Sequence, residues 1–157
     1  MMAIEFSDDV RKCIEDALAA FRELASDSSK IIFGRVIGRT PIDFERRDPR
    51  TVGLARANWL ISEGERSSVV KRLDEEDGPA PVLSPQGDTY QRVEQYIDAQ
   101  SLEEDTILTL TNNVPYIRRL EYQAWSNQAP AGMRGITITE FPQIIEQALN
   151  TARQRTR

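Results

Sequence analysis

The chain has no histidine and one cysteine, Cys13, among its 157 residues. Without histidine, Ser-His-Asp and Cys-His nucleophilic mechanisms cannot be built within it, and neither can His-ligated zinc or iron sites. A lone cysteine forms no intrachain disulfide, which fits synthesis in a reducing cytosol. Long apolar runs are also missing: the longest are a few residues, against the roughly 20 that a membrane span requires. The opening MMAIEFSDDV carries neither a basic stretch nor an apolar core, so no secretory signal is expected. GxGxxG and GxxxxGK[ST] are both absent, which argues against nucleotide binding by either device. The net charge of −5 argues against a general nucleic-acid binder, because neutralising phosphates needs a concentrated basic face. The same charge would suit a surface past which DNA must slide without sticking.

What is present, 39% hydrophobic and 29% charged residues, describes an ordinary globular protein of one domain spanning 1–157. Ser7-Asp8-Asp9 is a helix start, a hydroxyl cap followed by carboxylates at the positive end of the helix dipole. Val10, Ile14, Ala17, Leu18, Phe21, Leu24 and Ala25 then recur at helical spacing as a core-facing stripe. The helix either frays at Ser26–Lys30 or runs on through Ile31–Ile37, where Gly34 weakens the pattern. Cys13, beside Ile14, reads as a buried or half-buried thiol with no base to activate it. Gly38 to Gly53 is a loop containing two prolines. Ala55–Glu63 alternates Ala57, Trp59 and Ile61 with Arg56, Asn58 and Ser62, which predicts a half-buried strand anchored by Trp59. Glu65 to Gly87, with three prolines and a block of four acids, is an extended or flexible excursion.

Asp88 or Thr89 caps a short helix in which Tyr90, Val93 and Ile97 share a face. Asp105–Thr111 is a strand rich in β-branched residues, and Ile136 and Ile138, alternating with Thr137 and Thr139, predict another. Thr139 then caps a last helix with Pro142 in its first turn and Phe141, Ile144, Ile145, Ala148, Leu149 and Ala152 as its apolar stripe. Arg153, Arg155 and Arg157 fall at the end where the dipole favours cations. These elements predict an α+β fold: a long N-terminal helix and a C-terminal helix packed on a small, largely antiparallel sheet, with long loops.

Candidate chemistry is sparse. Asp74, Glu75, Glu76 and Asp77 are hard ligands, but they lack the spacing of a calcium loop and read as a solvated acidic run. Glu121, between Tyr116 and Tyr122, is the residue a general acid would need, yet no second carboxylate stands at a defined spacing from it. Arg46, Arg47 and Arg50 can meet phosphate or a neighbouring acidic subunit, or simply be solvated. The C-terminal arginines read as a helix end, with contact to DNA or a partner as the alternative.

Three ordered segments carry a resemblance. RTPID…GLARANWLIS resembles the "TP-(V/I)-D … G-x-(A/L)-R-x-x-W" block of the tail-completion, or neck, proteins of long-tailed bacteriophages. TNNVPYIRRLEY resembles their "N-N-x-P-Y-x-x-x-L-E-(Y/x)-G" block, and SNQAPAGM their "S-x-Q-A-P-x-G-M" block. Thr40, Pro41, Asp43, Gly53, Arg56, Ala57, Asn58 and Trp59 match the first block. Asn112, Asn113, Pro115, Tyr116, Leu120 and Glu121 match the second, and Gln128, Ala129, Pro130, Gly132 and Met133 the third. Phe44 to Val52 intervenes where the family runs almost directly from Asp to Gly, and Gln123 stands where Gly is common.

The resemblance implies a virion structural protein of the tail and neck, assembled in the cytoplasm of a bacterial host, with no catalytic activity, cofactor or metal. It implies a homo-oligomeric ring, commonly a hexamer, that completes the head-proximal end of the tail. Its axial partners would be a tail-tube or tail-terminator protein and a head-completion or connector protein, with DNA passing through the lumen and no membrane involved. A tail terminator or a head-completion connector protein is an alternative within the same machine; a small acidic cytosolic regulatory or binding protein is one of another class. Tyr116 and Leu120, one turn apart, read as core. Tyr122 and Trp125 read equally as core or as subunit-interface anchors, because such side chains bury large areas while keeping a polar handle.

Overall fold

A computed structural model describes residues 8–42, 53–70, 87–100, 102, 103 and 105–155. Asp43, Arg46, Arg47 and Arg50, the acidic run 74–77 and Arg157 lie outside them. The architecture is α+β, and mostly helical. One helix, α1 (Asp8–Arg39), runs unbroken for 32 residues, about 48 Å at 1.5 Å per residue. It passes straight through Ser26–Lys30: Ser28 is buried and its hydroxyl donates to the Leu24 carbonyl at 2.7 Å, so the polar stretch costs the helix no unpaired group.

The other elements gather on the C-terminal half of α1. They are α2 (Leu54–Ala57), β1 (Leu60–Glu63), α3 (Gly87–Ala99), β2 (Leu108–Thr111), α4 (Ile117–Tyr122), α5 (Arg134–Thr139) and α6 (Phe141–Arg155). Strands β1 and β2 pair antiparallel in the register Leu60↔Thr111 to Glu63↔Leu108. A core of Val36, Ile37, Ala55, Trp59, Val93, Ile97, Val114, Leu120, Ala129 and Met133 joins α1, α3, the sheet and the turns after it. Helix α3 lies against α1 at Gly34, where a β-carbon would stand 2.5 Å from the Tyr90 ring, so only glycine admits this approach. Burial raises the Tyr90 pKa and Glu94 adds to the rise, while Lys30 opposes it. Lys30 also pairs with Asp98. Ile144 and Ala148, both buried, seat α6 on α1.

Four expectations are corrected. The alternation from Ala55 is not a strand at its start: Ala55, Arg56, Ala57 and Asn58 are all buried, two of them polar, and form a helical turn before β1 begins at Leu60. A half-buried strand exposes one face; here both sides are enclosed. Likewise β2 pairs only over Leu108–Thr111, because Thr106 closes a turn with Glu103 through Thr106 N–H and the Thr106 hydroxyl. The Ile136–Thr139 alternation is the helix α5, and Thr139 donates to the Ile136 carbonyl at 2.7 Å within it instead of capping α6. Most consequentially, the stripe on the first half of α1 has no core beneath it. Val10, Ile14, Leu18 and Phe21 are exposed, as is Cys13, and all of 8–23 is in solvent contact. On α6, Phe141 and Leu149 are also exposed.

Candidate functional site

The described residues of the three sequence blocks converge on the turns around the core, and Thr40, Arg56, Asn58, Asn112, Asn113, Glu121 and Gln128 each bond through their side chains to main chain. Helix α1 ends at Arg39, leaving carbonyls that no further turn can satisfy. Arg56 reaches them from α2: its Nε donates to the Thr40 carbonyl at 2.9 Å, and one terminal nitrogen to Thr40 (2.6 Å) and Gly38 (2.9 Å). The negative end of the α1 dipole also favours the cation here. Burial pushes the guanidinium pKa down, yet arginine keeps its charge throughout the physiological range. The Thr40 hydroxyl donates to Val36 (2.9 Å) and accepts the Trp59 indole N–H (2.7 Å), so the buried indole is paired.

The second block ties β2 to both of its neighbours. Asn112 donates to the Ala55 carbonyl at 2.6 Å and its side-chain oxygen accepts from Val114 N–H, an Asx turn. Asn113 donates to the carbonyls of Ser67 (2.7 Å) and Val69 (3.1 Å), holding the start of the segment after β1. Pro115 opens the turn into α4, with Leu120 buried and Tyr116 packed against the core. The third block is a clamp. The Gln128 amide donates to the Ile42 carbonyl at 2.8 Å and accepts the Ile42 N–H at 3.1 Å, so one side chain stands in for a strand partner. Ala129 and Met133 are buried, Pro130 is exposed, and Gly53 and Gly132 hold φ of 74° and 76°.

Glu121 unites the last two blocks. Its carboxylate accepts from the N–H groups of Met133 (2.8 Å), Arg134 (2.9 Å) and Gly135 (2.8 Å), which are the open donors at the start of α5. This is why a β-branched sequence becomes helix there: the cap and the tertiary position outweigh strand propensity. The carboxylate thus accepts three main-chain hydrogen bonds, and among the described residues no group of three or more His, Cys, Asp or Glu could hold a metal ion.

Two features had no sequence forecast. Arg35 and Arg39, one turn apart on α1, both grip Glu140 at the α5–α6 corner; Arg39 lies 2.6 and 2.8 Å from its two oxygens and 2.8 Å from the Thr137 hydroxyl. The hydrogen bonds from Arg39 and then Arg35 hold the Glu140 carboxyl below its ordinary pKa. Two arginines at i, i+4 were the available signal. Beside this clasp lies an apolar groove of about 240 Å³, lined by Phe33, Trp59, Leu110, Ile138 and Phe141, with Arg134 at its wall.

Tyr122 and Trp125 are not core: they are 65% and 51% exposed. Trp125 is nevertheless held, edge-on to Tyr116 (centroids 5.8 Å apart, planes at 63°) and beneath the Arg119 guanidinium at 5.7 Å. Among the described residues, no helix is long and apolar enough to cross a membrane. Comparison with protein-family models, with curated proteins and with solved structures finds no match to this chain.

Proposed function

We propose that this chain is a non-enzymatic structural subunit of a long-tailed phage virion, acting in the neck, where it completes the head-proximal end of the tail. In this reading several copies close into a ring, commonly of six, between a tail-tube or terminator protein and a head-completion protein, and the genome passes through without sequence-specific contact. The observation that carries the reading is the use made of Glu121, Arg56, Gln128 and the Asn112–Asn113 pair. Each spends its polar groups on main-chain partners, which supports a framework role for these residues over a catalytic one. The surface around that body holds exposed aromatics at Tyr122 and Trp125, the latter packed on Tyr116, side-chain types that anchor protein interfaces.

The test is the solution mass of the purified protein, alone and mixed with the tail-tube and connector proteins encoded beside it. A ring, or a monomer driven into a ring-sized complex by those proteins, supports the neck reading. A monomer indifferent to all of them overturns it and favours a small acidic regulatory protein.

A further inference from the structure

Residues 8–23 are all exposed and carry Val10, Ile14, Leu18 and Phe21 on one side of a continuous helix. Phe21 is 61% exposed and Ile14 49%. The buried residues of α1, Ser28, Val36 and Ile37, all lie beyond this stretch. These residues project past the core, flanked at Leu18, Phe21 and Arg22 by the Leu102–Glu103 segment, where Arg22 pairs with Glu103 at 3.0 Å. The overhang is near the length at which an isolated helix is only marginal in water. An amphipathic stripe of this kind needs a surface to cover it.

The same molecule presents such a surface elsewhere. The groove at Trp59, Leu110, Ile138 and Phe141 is apolar, and Ile138 and Phe141 stand 54% and 49% exposed at its edge. Its charged surroundings are cationic: Arg134 at the wall, and Arg35 and Arg39 against the single carboxylate of Glu140. The overhang is of opposite sign, with Asp8, Asp9, Glu15, Asp16 and Glu23 outnumbering Arg11, Lys12 and Arg22. Two overhangs pairing with each other would bring two acidic helices together and leave the groove uncovered. An overhang entering a groove matches apolar to apolar and charge to opposite charge.

We infer that the N-terminal half of α1 of one copy docks in the groove between α1, β2 and α5 of the next copy. Donor and acceptor are different patches of one chain, so the contact is heterologous and propagates head to tail, closing into a ring when the rotation permits. This inference rests on the proposed ring subunit and names the surfaces that join its members.

The experiment uses the full chain in a Cys13→Ser background. One variant carries Phe21→Cys and another Ile138→Cys, and oxidant is added to each reduced variant alone and to the reduced mixture of the two. Disulfide-linked dimer in the mixture but not in either variant alone is the expected result. Cross-linking of Phe21→Cys with itself, and not with Ile138→Cys, overturns the inference while leaving a ring intact. In parallel, Phe21→Asp is expected to weaken association about ten-fold or more, with helical circular dichroism unchanged. A Phe21→Asp protein that assembles like the parent overturns the docking mode alone. Absence of any assembly by the parent chain, with or without its neighbours, overturns the ring and the docking together.

Discussion

The main-chain oxygen of Glu121 lies 2.5 Å from where a β-carbon on Gly132 would stand, and the Glu121 side chain caps α5 just beyond. Glu121 is thus tied to the turn eleven to fourteen residues on in two ways, by a close approach at Gly132 and by three hydrogen bonds from Met133, Arg134 and Gly135. Gly132→Ala adds both the contact and a left-handed backbone at φ 76°, and is expected to cost at least about 2 kcal/mol. Glu121→Ala opens the α5 cap at a cost of about 2 kcal/mol. Each should lower the thermal midpoint by about 4–8 °C. A Gly132→Ala protein as stable as the parent would contradict the packing described.

Arg56→Lys is not conservative at this site. A lysine ammonium cannot span the Gly38 and Thr40 carbonyls with a planar fork, and the buried position denies it water. The expected loss is about 2 kcal/mol. Thr40→Val, similar in shape, strands the Trp59 indole N–H and should cost about 1–3 kcal/mol. Denaturant unfolding measures both, and the tryptophan emission of Thr40→Val should shift if Trp59 loses its partner.

Ala124 has φ 47° and is the described non-glycine residue with positive φ. Its neighbour Gln123 has φ −119°, so the left-handed step falls on Ala124 alone of the two. Replacing Ala124 with glycine should therefore stabilise the chain, by about 1 kcal/mol. Ala124→Val should do the reverse. Equal midpoints for all three would show that the turn relaxes freely.

Glu140 sets an acid limit on the α1–α6 clasp. Its folded pKa is depressed, chiefly by its hydrogen bonds to Arg39 and then to Arg35. A depressed carboxyl stabilises the fold above its unfolded value, about 4.3 for glutamate, and loses that contribution as pH falls through the folded value. Stability should thus decline from about pH 5 downward, and Glu140→Gln should be less stable at neutral pH with a shallower acid slope. Chemical denaturation at a series of pH values reads both, and a parallel slope in the variant would remove Glu140 from the account.

Local spacing alone carried much of the helical architecture. The Val10–Ala25 periodicity, the shared face of Tyr90, Val93 and Ile97, and the Ile144–Ala148 stripe each mark a helix because side-chain period follows directly from backbone geometry. The α+β class and the core placement of Trp59 and Leu120 were legible in the same way. Period does not say what lies opposite a stripe, so the exposure of Phe21 was invisible to it. Nor does it weigh a distant carboxylate: Ile136–Thr139 reads as strand until Glu121 supplies its cap from another turn. Arg56 and Asn58 likewise read as the solvent face of a strand, when their task is to satisfy main-chain carbonyls inside the body. The sequence by itself determined where helices can form and which side of each is apolar, since both follow from neighbours along the chain. Only the tertiary structure decided which stripes are covered, which polar groups cap which ends, and that the blocks around Asn112 and Gln128 are framework, because those outcomes depend on partners brought close only by folding.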